Sequence, residues 1–376
     1  MSRFVEVYGV EADGVWRAPG RVNLIGEHTD YNDGLVLPIA LPNQITITAA
    51  ARTDGVIAVA SSGQDGVITV ELDSLAPGSV KDWAAYPAGA AWVLLQDEYE
   101  IGGANLLVES DLPSGAGLSS SAALLCATAS ALLGLRGIEI DPAEVARLAQ
   151  RAENQYVGAP VGLMDQMASM CCTAGHALYF DIRAMSTDQI PFDPAADDLA
   201  LLVIDVKAPH RLVDGEYAAR RNSCEQAATE LGVPALRSIA FEDLDDALTR
   251  LSDDVVRRRV RHVVTEIRRV EDAVALMRDG RLRDVGPLFT ASHASLRDDF
   301  EITVPELDVA VDTALAAGAL GARMTGGGFG GCIIALVEAS ATGAVLAAIE
   351  KAFAEHGFTK PTSLDATPSP GASRVS

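Results

Sequence analysis

Positive charge is in short supply in this chain: 29 Lys and Arg stand against 52 Asp and Glu, a net charge of −23 over 376 residues. That balance argues against a general nucleic-acid binder or a protein held to an anionic membrane. A few oriented backbone amides and one arginine can still reverse the field locally for a small anion. Cysteine is scarce and odd in number, five, with Cys171 and Cys172 adjacent. A disulfide framework is therefore a poor reading, and a reducing cytoplasm is the expected setting. No apolar core follows the first six residues, so no signal peptide is expected. The most apolar run, 122–135, is too short and too rich in Ser and Thr to span a bilayer. No period of 20 to 50 residues recurs, which argues against solenoids and propellers.

What is present is the composition of a packed protein, 49% hydrophobic and 22% charged. The length exceeds one ordinary core and points to two domains or one large α/β unit; as two domains we place them at 1–185 and 186–376. Strands are expected over 44–51, 56–60, 67–72, 104–109, 199–206 and 332–337, where apolar and β-branched residues run or alternate between turn signals. The core strand at 199–206 is bounded by Lys207-Ala208-Pro209. Asp141-Pro142-Ala143-Glu144 supplies an N-cap acid, proline at N1 and an acid at N3 for a helix reaching about Asn154. Helices are also expected over 119–133, 217–231, 305–317 and 341–356, the last ended by Gly357. A long helix at 253–278 carries one apolar seam, Val256, Val260, Val263, Ile267, Val270, Val274 and Met277. Its arginines lie mostly off that seam and read as a solvated face balanced by Asp245, Asp246, Asp253 and Asp254. Beyond Pro361 the tail is rich in Pro, Ser and Thr and is expected to be only partly ordered.

Three segments invite chemistry. PSGAGLSSSAA, from Pro113 to Ala123, has glycines that let successive N–H groups point inward at a helix start, a setting that favours an anion such as a nucleotide phosphate. No Gly-Lys-Ser/Thr follows, so it is not a Walker A loop, and a tight turn with capping serines is the plainer alternative. MTGGGFGGCIIA, from Met324 to Ala335, packs five glycines into six positions, which suits close approach of another backbone or a ligand, or merely a glycine-rich hairpin. GRVNLIGEHTDYNDGLVLP, from Gly20 to Pro38, gathers Arg21, Glu27, His28, Asp30 and Asp33. Such a cluster suits metal ligation or hydrogen bonding to a polyhydroxy ligand, although zinc sites draw on more His or Cys. The simpler reading, a solvated loop, suits Asp33 best.

These three segments resemble, in order and position, the sugar signature of the galactokinases and the second and third motifs of the wider GHMP small-molecule kinase superfamily. GLMDQM (162–167) and GEYAARRNSCE (215–225) extend the likeness over nearly the whole chain. The first motif is specific for galactokinases, the other two for the superfamily. The resemblance implies an α+β protein of two domains with the active site in the cleft between them. One domain is an N-terminal mixed α/β unit (ribosomal protein S5 domain 2-like), and the other is a C-terminal ferredoxin-like unit.

It further implies ATP-dependent phosphorylation of the anomeric hydroxyl of α-D-galactose, with Mg2+, by a monomeric cytoplasmic enzyme without nucleic-acid or membrane partners. Asp165 would be the base and Arg21 its charged partner. Glu27, His28, Asp30, the backbone at Gly162, and Tyr217 would hold the sugar. Gly115, Ala116, Gly117, Leu118, Ser119, Ser120 and Ser121 would wrap the phosphates, Ser121 and Glu153 would bind the metal, and Ser61 and Trp83 would meet the adenine. By themselves, Glu153 reads more readily as a surface helix acid and Asp165 as a helix cap, since acids outside a motif are usually structural. Leu125 stands where many members carry glutamate, and Val161 and Leu163 replace the frequent cysteine and isoleucine. The tail from Thr362 to Ser376 matches only loosely. Non-catalytic sugar sensors of this lineage lack part of the serine–alanine run, which is complete here.

Overall fold

The computed structural model describes residues 2–113, 115–208 and 213–376. Ser114 of the glycine-rich turn and Pro209 after the core strand lie outside the described residues. Thirteen strands form among them: β1 (Gly14–Asn23), β2 (Leu35–Val36), β3 (Pro38–Arg52), β4 (Val56–Ser61), β5 (Ile68–Glu71), β6 (Gly103–Ser110), β7 (His176–Asp181), β8 (Ser186–Pro191), β9 (Leu199–Asp205), β10 (Gly321–Thr325), β11 (Cys332–Glu338), β12 (Thr362–Asp365) and β13 (Ser373–Arg374).

A six-stranded mixed sheet runs β13-β1-β3-β6-β4-β5, with β4 and β6 parallel and the other pairs antiparallel. The helix Ser120–Gly134 is apolar on every side, as its run of Ala and Leu dictates, and is buried against this sheet. The helix Pro142–Arg151 starts where the sequence places it, with the Asp141 carboxylate accepting from Ala143 N at 2.8 Å. It then widens into a π-helical turn, Ala152–Val157, which ends at left-handed Gly158.

A second sheet runs β10-β11-β9-β12 and is antiparallel throughout. Counted in chain order, that is 4-1-3-2 from its β12 edge, with helices crossing between β9 and β10 and between β11 and β12, the ferredoxin-like arrangement. A small antiparallel sheet, β2-β7-β8, joins the sugar-signature segment to the hairpin that follows the helix Met164–Cys171. The architecture is a two-domain α+β fold.

The seam of the helix Asp254–Arg278 is buried along its whole length. Most of its arginines find acids other than those expected. Arg258 and Arg259 pair with Glu301, Arg261 with Asp299, and Arg269 with Glu266 of the helix itself. Arg259 is buried against the Phe300 ring. Of the expected acids, Asp254, the first residue of the helix, pairs with Arg257, and Asp253 caps the first turn. The tail is better ordered than its composition suggests, because existing sheet edges supply its partners. β12 pairs with β9, Ser369 bridges Ala40, and β13 pairs with β1. All five cysteines are free.

Candidate active site

β1 ends in the sugar-signature segment, and a bulge between Pro19 and Arg21 turns the buried Arg21 side chain toward the helix Met164–Cys171. There its Nε donates to Asp165 Oδ1 and its Nη2 to Asp165 Oδ2, each at 2.8 Å, a bidentate pair. Arg21 Nη1 also donates to the Gly117 carbonyl at 3.0 Å, and its backbone N–H to Leu118 O at 3.2 Å. One guanidinium thus ties the acid of the helix to the glycine-rich turn.

Asp165 faces a cavity of about 150 Å3 that is also lined by Arg21, Glu27, His28, Asp30, Val161, Gly162, Met164, Tyr217, Gly326 and Gly327. Every expected sugar-site residue is therefore in one place, and the cavity is sized for one small polar ligand. Asp30 opens the short turn Asp30–Asn32, and its Oδ1 accepts from Tyr31 N at 3.0 Å. Burial first, and then the nearby charge of Asp165, push its carboxyl up to about 6.

His28 has φ +61 and is buried. Burial holds it down to about 3, so the imidazole is neutral. Its Nε2 faces the Gly327 carbonyl at 3.2 Å and so carries the proton, while Nδ1 accepts from the Tyr31 hydroxyl at 2.6 Å. The rings of Tyr217 and Phe300 lie 5.2 and 4.9 Å from it.

Glu27 is buried, and both its oxygens already have partners. Oε2 meets Arg323 Nη2 at 2.5 Å and accepts from Asn23 Nδ2 at 2.9 Å, while Oε1 accepts from Gly326 N at 3.0 Å. Burial pushes this carboxyl up, and Arg323 opposes it. Arg323 itself is fully buried and donates to the Leu24 carbonyl at 3.0 Å. Beside the pair, Glu266 accepts from Gly26 N at 3.0 Å and from Ser292 Oγ at 2.6 Å. Burial opposes its ionisation, yet Arg269, His262 and Arg323 hold it down to about 2.

The glycine-rich hairpin between β10 and β11 meets the turn before the helix Ser120–Gly134 backbone to backbone. A β-carbon built on Gly331 would lie 3.3 Å from Ala116 O, and one on Gly326 would lie 3.4 Å from Gly117 O. Gly115 and Gly117 both have positive φ. Leu118 buries its side chain in the core, and Ser120 is exposed at the helix start. Ser119 is left-handed at φ +59 and donates its hydroxyl to Asp165 Oδ2 at 2.5 Å. Glu153 accepts from Gln166 Nε2 at 2.7 Å, and the Ser121 hydroxyl lies near enough to favour its charged form. Burial pushes Glu153 up to about 7. Ser61 ends β4 and Trp83 lies in the turn Asp82–Ala84; neither lines the cavity at Asp165. Among the described residues, no group of three or more His, Cys, Asp and Glu is arranged to hold a metal. No helix of theirs is long and apolar enough to cross a membrane.

Residues 85–173 match the model of the GHMP kinases N terminal domain and residues 273–355 that of the GHMP kinases C terminal. Fold and site together define a GHMP kinase. Residues 2–51 match the galactokinase galactose-binding signature. The chain is 55% identical over 376 residues to a galactokinase of Streptomyces coelicolor, covering 100% of this chain and 97% of the relative. Its structure matches that of Lactococcus lactis galactokinase complexed with galactose at a TM-score of 0.95 and 32% identity, over 99% of this chain and 97% of that one. A mevalonate kinase, 19% identical with a TM-score of 0.69 over 94% of this chain and 98% of its own, shares the fold. The chain belongs to the galactokinase family.

The sequence reading missed Arg323, Asn23, Tyr31, Phe300 and Glu266. Arg323 directly precedes the glycine-rich motif and Asn23 lies inside the first one, so proximity was a usable signal for these two. Glu266 is one acid among many on a charged helix, and nothing in its spacing marks it.

Proposed function

We propose that this protein transfers the γ-phosphoryl group of ATP to the anomeric hydroxyl of α-D-galactose, giving α-D-galactose 1-phosphate and ADP. The observation that carries the reading is the Asp165 carboxylate, clamped by Arg21 and facing a small cavity that Asp30, His28, Glu27 and Tyr217 complete. Phosphoryl transfer asks a protein mainly for in-line positioning and charge neutralisation. Asp165 takes the proton of the anomeric hydroxyl as that oxygen attacks the γ-phosphorus and the bond to the β-phosphate oxygen breaks. Arg21 fixes the carboxylate and presents positive charge beside the transferring group. Glu27, His28, Asp30, Tyr217 and the backbone at Gly162 bind and orient the sugar. The turn Gly115 to Ser121, at the positive end of the helix that follows, wraps the phosphates, and Ser61 and Trp83 meet the adenine.

A Mg2+ ion fits Ser121 and Glu153: both offer hard oxygens, and a buried carboxyl pushed up to about 7 gains its charged form most readily beside a cation. When bound, the ion neutralises charge on the β- and γ-phosphates. The domain division near residue 185, a monomeric state and a cytoplasmic location belong to the same reading.

The test is ADP release with galactose, 2-deoxygalactose, glucose and N-acetylgalactosamine. The expected result is turnover of galactose with glucose far behind. Galactose binding without ADP or sugar 1-phosphate would make the protein a sensor instead.

A further inference from the structure

Ser119 occupies the N-cap position of the helix Ser120–Gly134 but makes no capping hydrogen bond. Serine is favoured at that position because its hydroxyl accepts from a first-turn amide. Here the backbone is left-handed, φ +59 and ψ +45, a conformation uncommon for a residue with a β-carbon. The hydroxyl is turned away from the helix and donates to Asp165 Oδ2 at 2.5 Å.

The consequence lies in how the lone pairs of Asp165 are shared out. A carboxylate oxygen has about two acceptor positions. Oδ2 accepts from Arg21 Nη2 at 2.8 Å and from Ser119 Oγ, so both of its positions are taken. Among the described residues, Oδ1 accepts from Arg21 Nε alone, at 2.8 Å. We propose that Ser119 is a positioning residue that saturates Oδ2 of Asp165 and so commits Oδ1 as the atom that takes the sugar's proton. This rests on the reading of Asp165 as the base. In the step, the anomeric O–H bond breaks and its proton passes to Oδ1. The freed electron pair on oxygen forms the bond to the γ-phosphorus, and the phosphorus–oxygen bond to the β-phosphate breaks with its pair leaving on ADP. Without the Ser119 hydroxyl, both oxygens can compete for the proton, and among the described residues the carboxylate keeps only the guanidinium to hold its plane.

Ser119→Ala and Ser119→Gly test this by steady-state kinetics, with melting temperature as a check on folding and Asp165→Asn as the control. Glycine relieves the left-handed backbone, so the pair separates hydroxyl from strain. Both variants should lose about 10- to 100-fold in kcat while the KM for galactose and for ATP each stay within about threefold. A native kcat in Ser119→Ala, or in Ser119→Gly alone, overturns the assignment. So does an ATP KM raised about tenfold or more at unchanged kcat, which would make the hydroxyl a phosphate ligand. Loss of rate in Asp165→Asn with native rate in Ser119→Ala sinks this assignment alone, whereas native rate in Asp165→Asn sinks the base itself.

Discussion

Gly162 and Asp30 stand so close that no side chain fits between them: a β-carbon built on Gly162 would fall 1.7 Å from Asp30 Oδ2. The carboxylate is half-buried in the cavity wall, so a retreat from a new side chain takes it out of that wall. Gly162→Ala should therefore raise the galactose KM about tenfold or more and leave the ATP KM within about threefold, measured by initial rates with each substrate varied. An unchanged galactose KM would remove Asp30 from the sugar site.

The Arg21–Asp165 pair is expected to show up in rate. Asp165→Asn and Arg21→Ala should each lower kcat by about 100- to 10,000-fold, with galactose affinity, read by calorimetry, within about fivefold. A carboxylate-free variant turning over normally would mean that no base acts here.

Arg323 and Glu27 form an ion pair with both side chains out of contact with water. Removing one partner strands the other charge. Arg323→Met should cost about 3–5 kcal/mol in chemical unfolding. The double variant Glu27→Gln with Arg323→Met should be the more stable of the two, and equal losses would mean that packing, not charge, dominates the site.

Glu153 gives a pH prediction whose sign is fixed by the direction of its shift. Its carboxyl titrates in the folded protein near 7, above its ordinary 4.5. The folded state therefore holds the proton more tightly, and this group's contribution to stability falls as pH rises from about 4.5 to 7. Without magnesium or nucleotide, Glu153→Gln should raise the melting temperature at pH 8 and change it little at pH 4.5. The same variant should lose most of its turnover. A gain equal at both pH values would show that packing, not the charge, was responsible.

Much of this was legible before any coordinates, and the reasons differ from element to element. The seam from Val256 to Met277 is periodic over about six turns, so its helix could be read directly. The cluster from Arg21 to Asp30 stood out because so many polar groups had no core to serve. The Ser119–Asp165 and Glu27–Arg323 contacts could not be read, since they join residues 46 and nearly 300 positions apart. Local propensity carries no trace of such pairings. The tail was misjudged for a related reason: strands of four and two residues take their order from the edges they join, not from their own pattern.

Glu27 lies in the N-terminal signature and Arg323 on β10, so the cavity that Glu27 lines is riveted across the two halves of the molecule. A jaw-like opening at that seam would have to pull apart opposite charges with no water at hand to receive them. Any widening of the cavity is therefore expected at its rim and not at this wall.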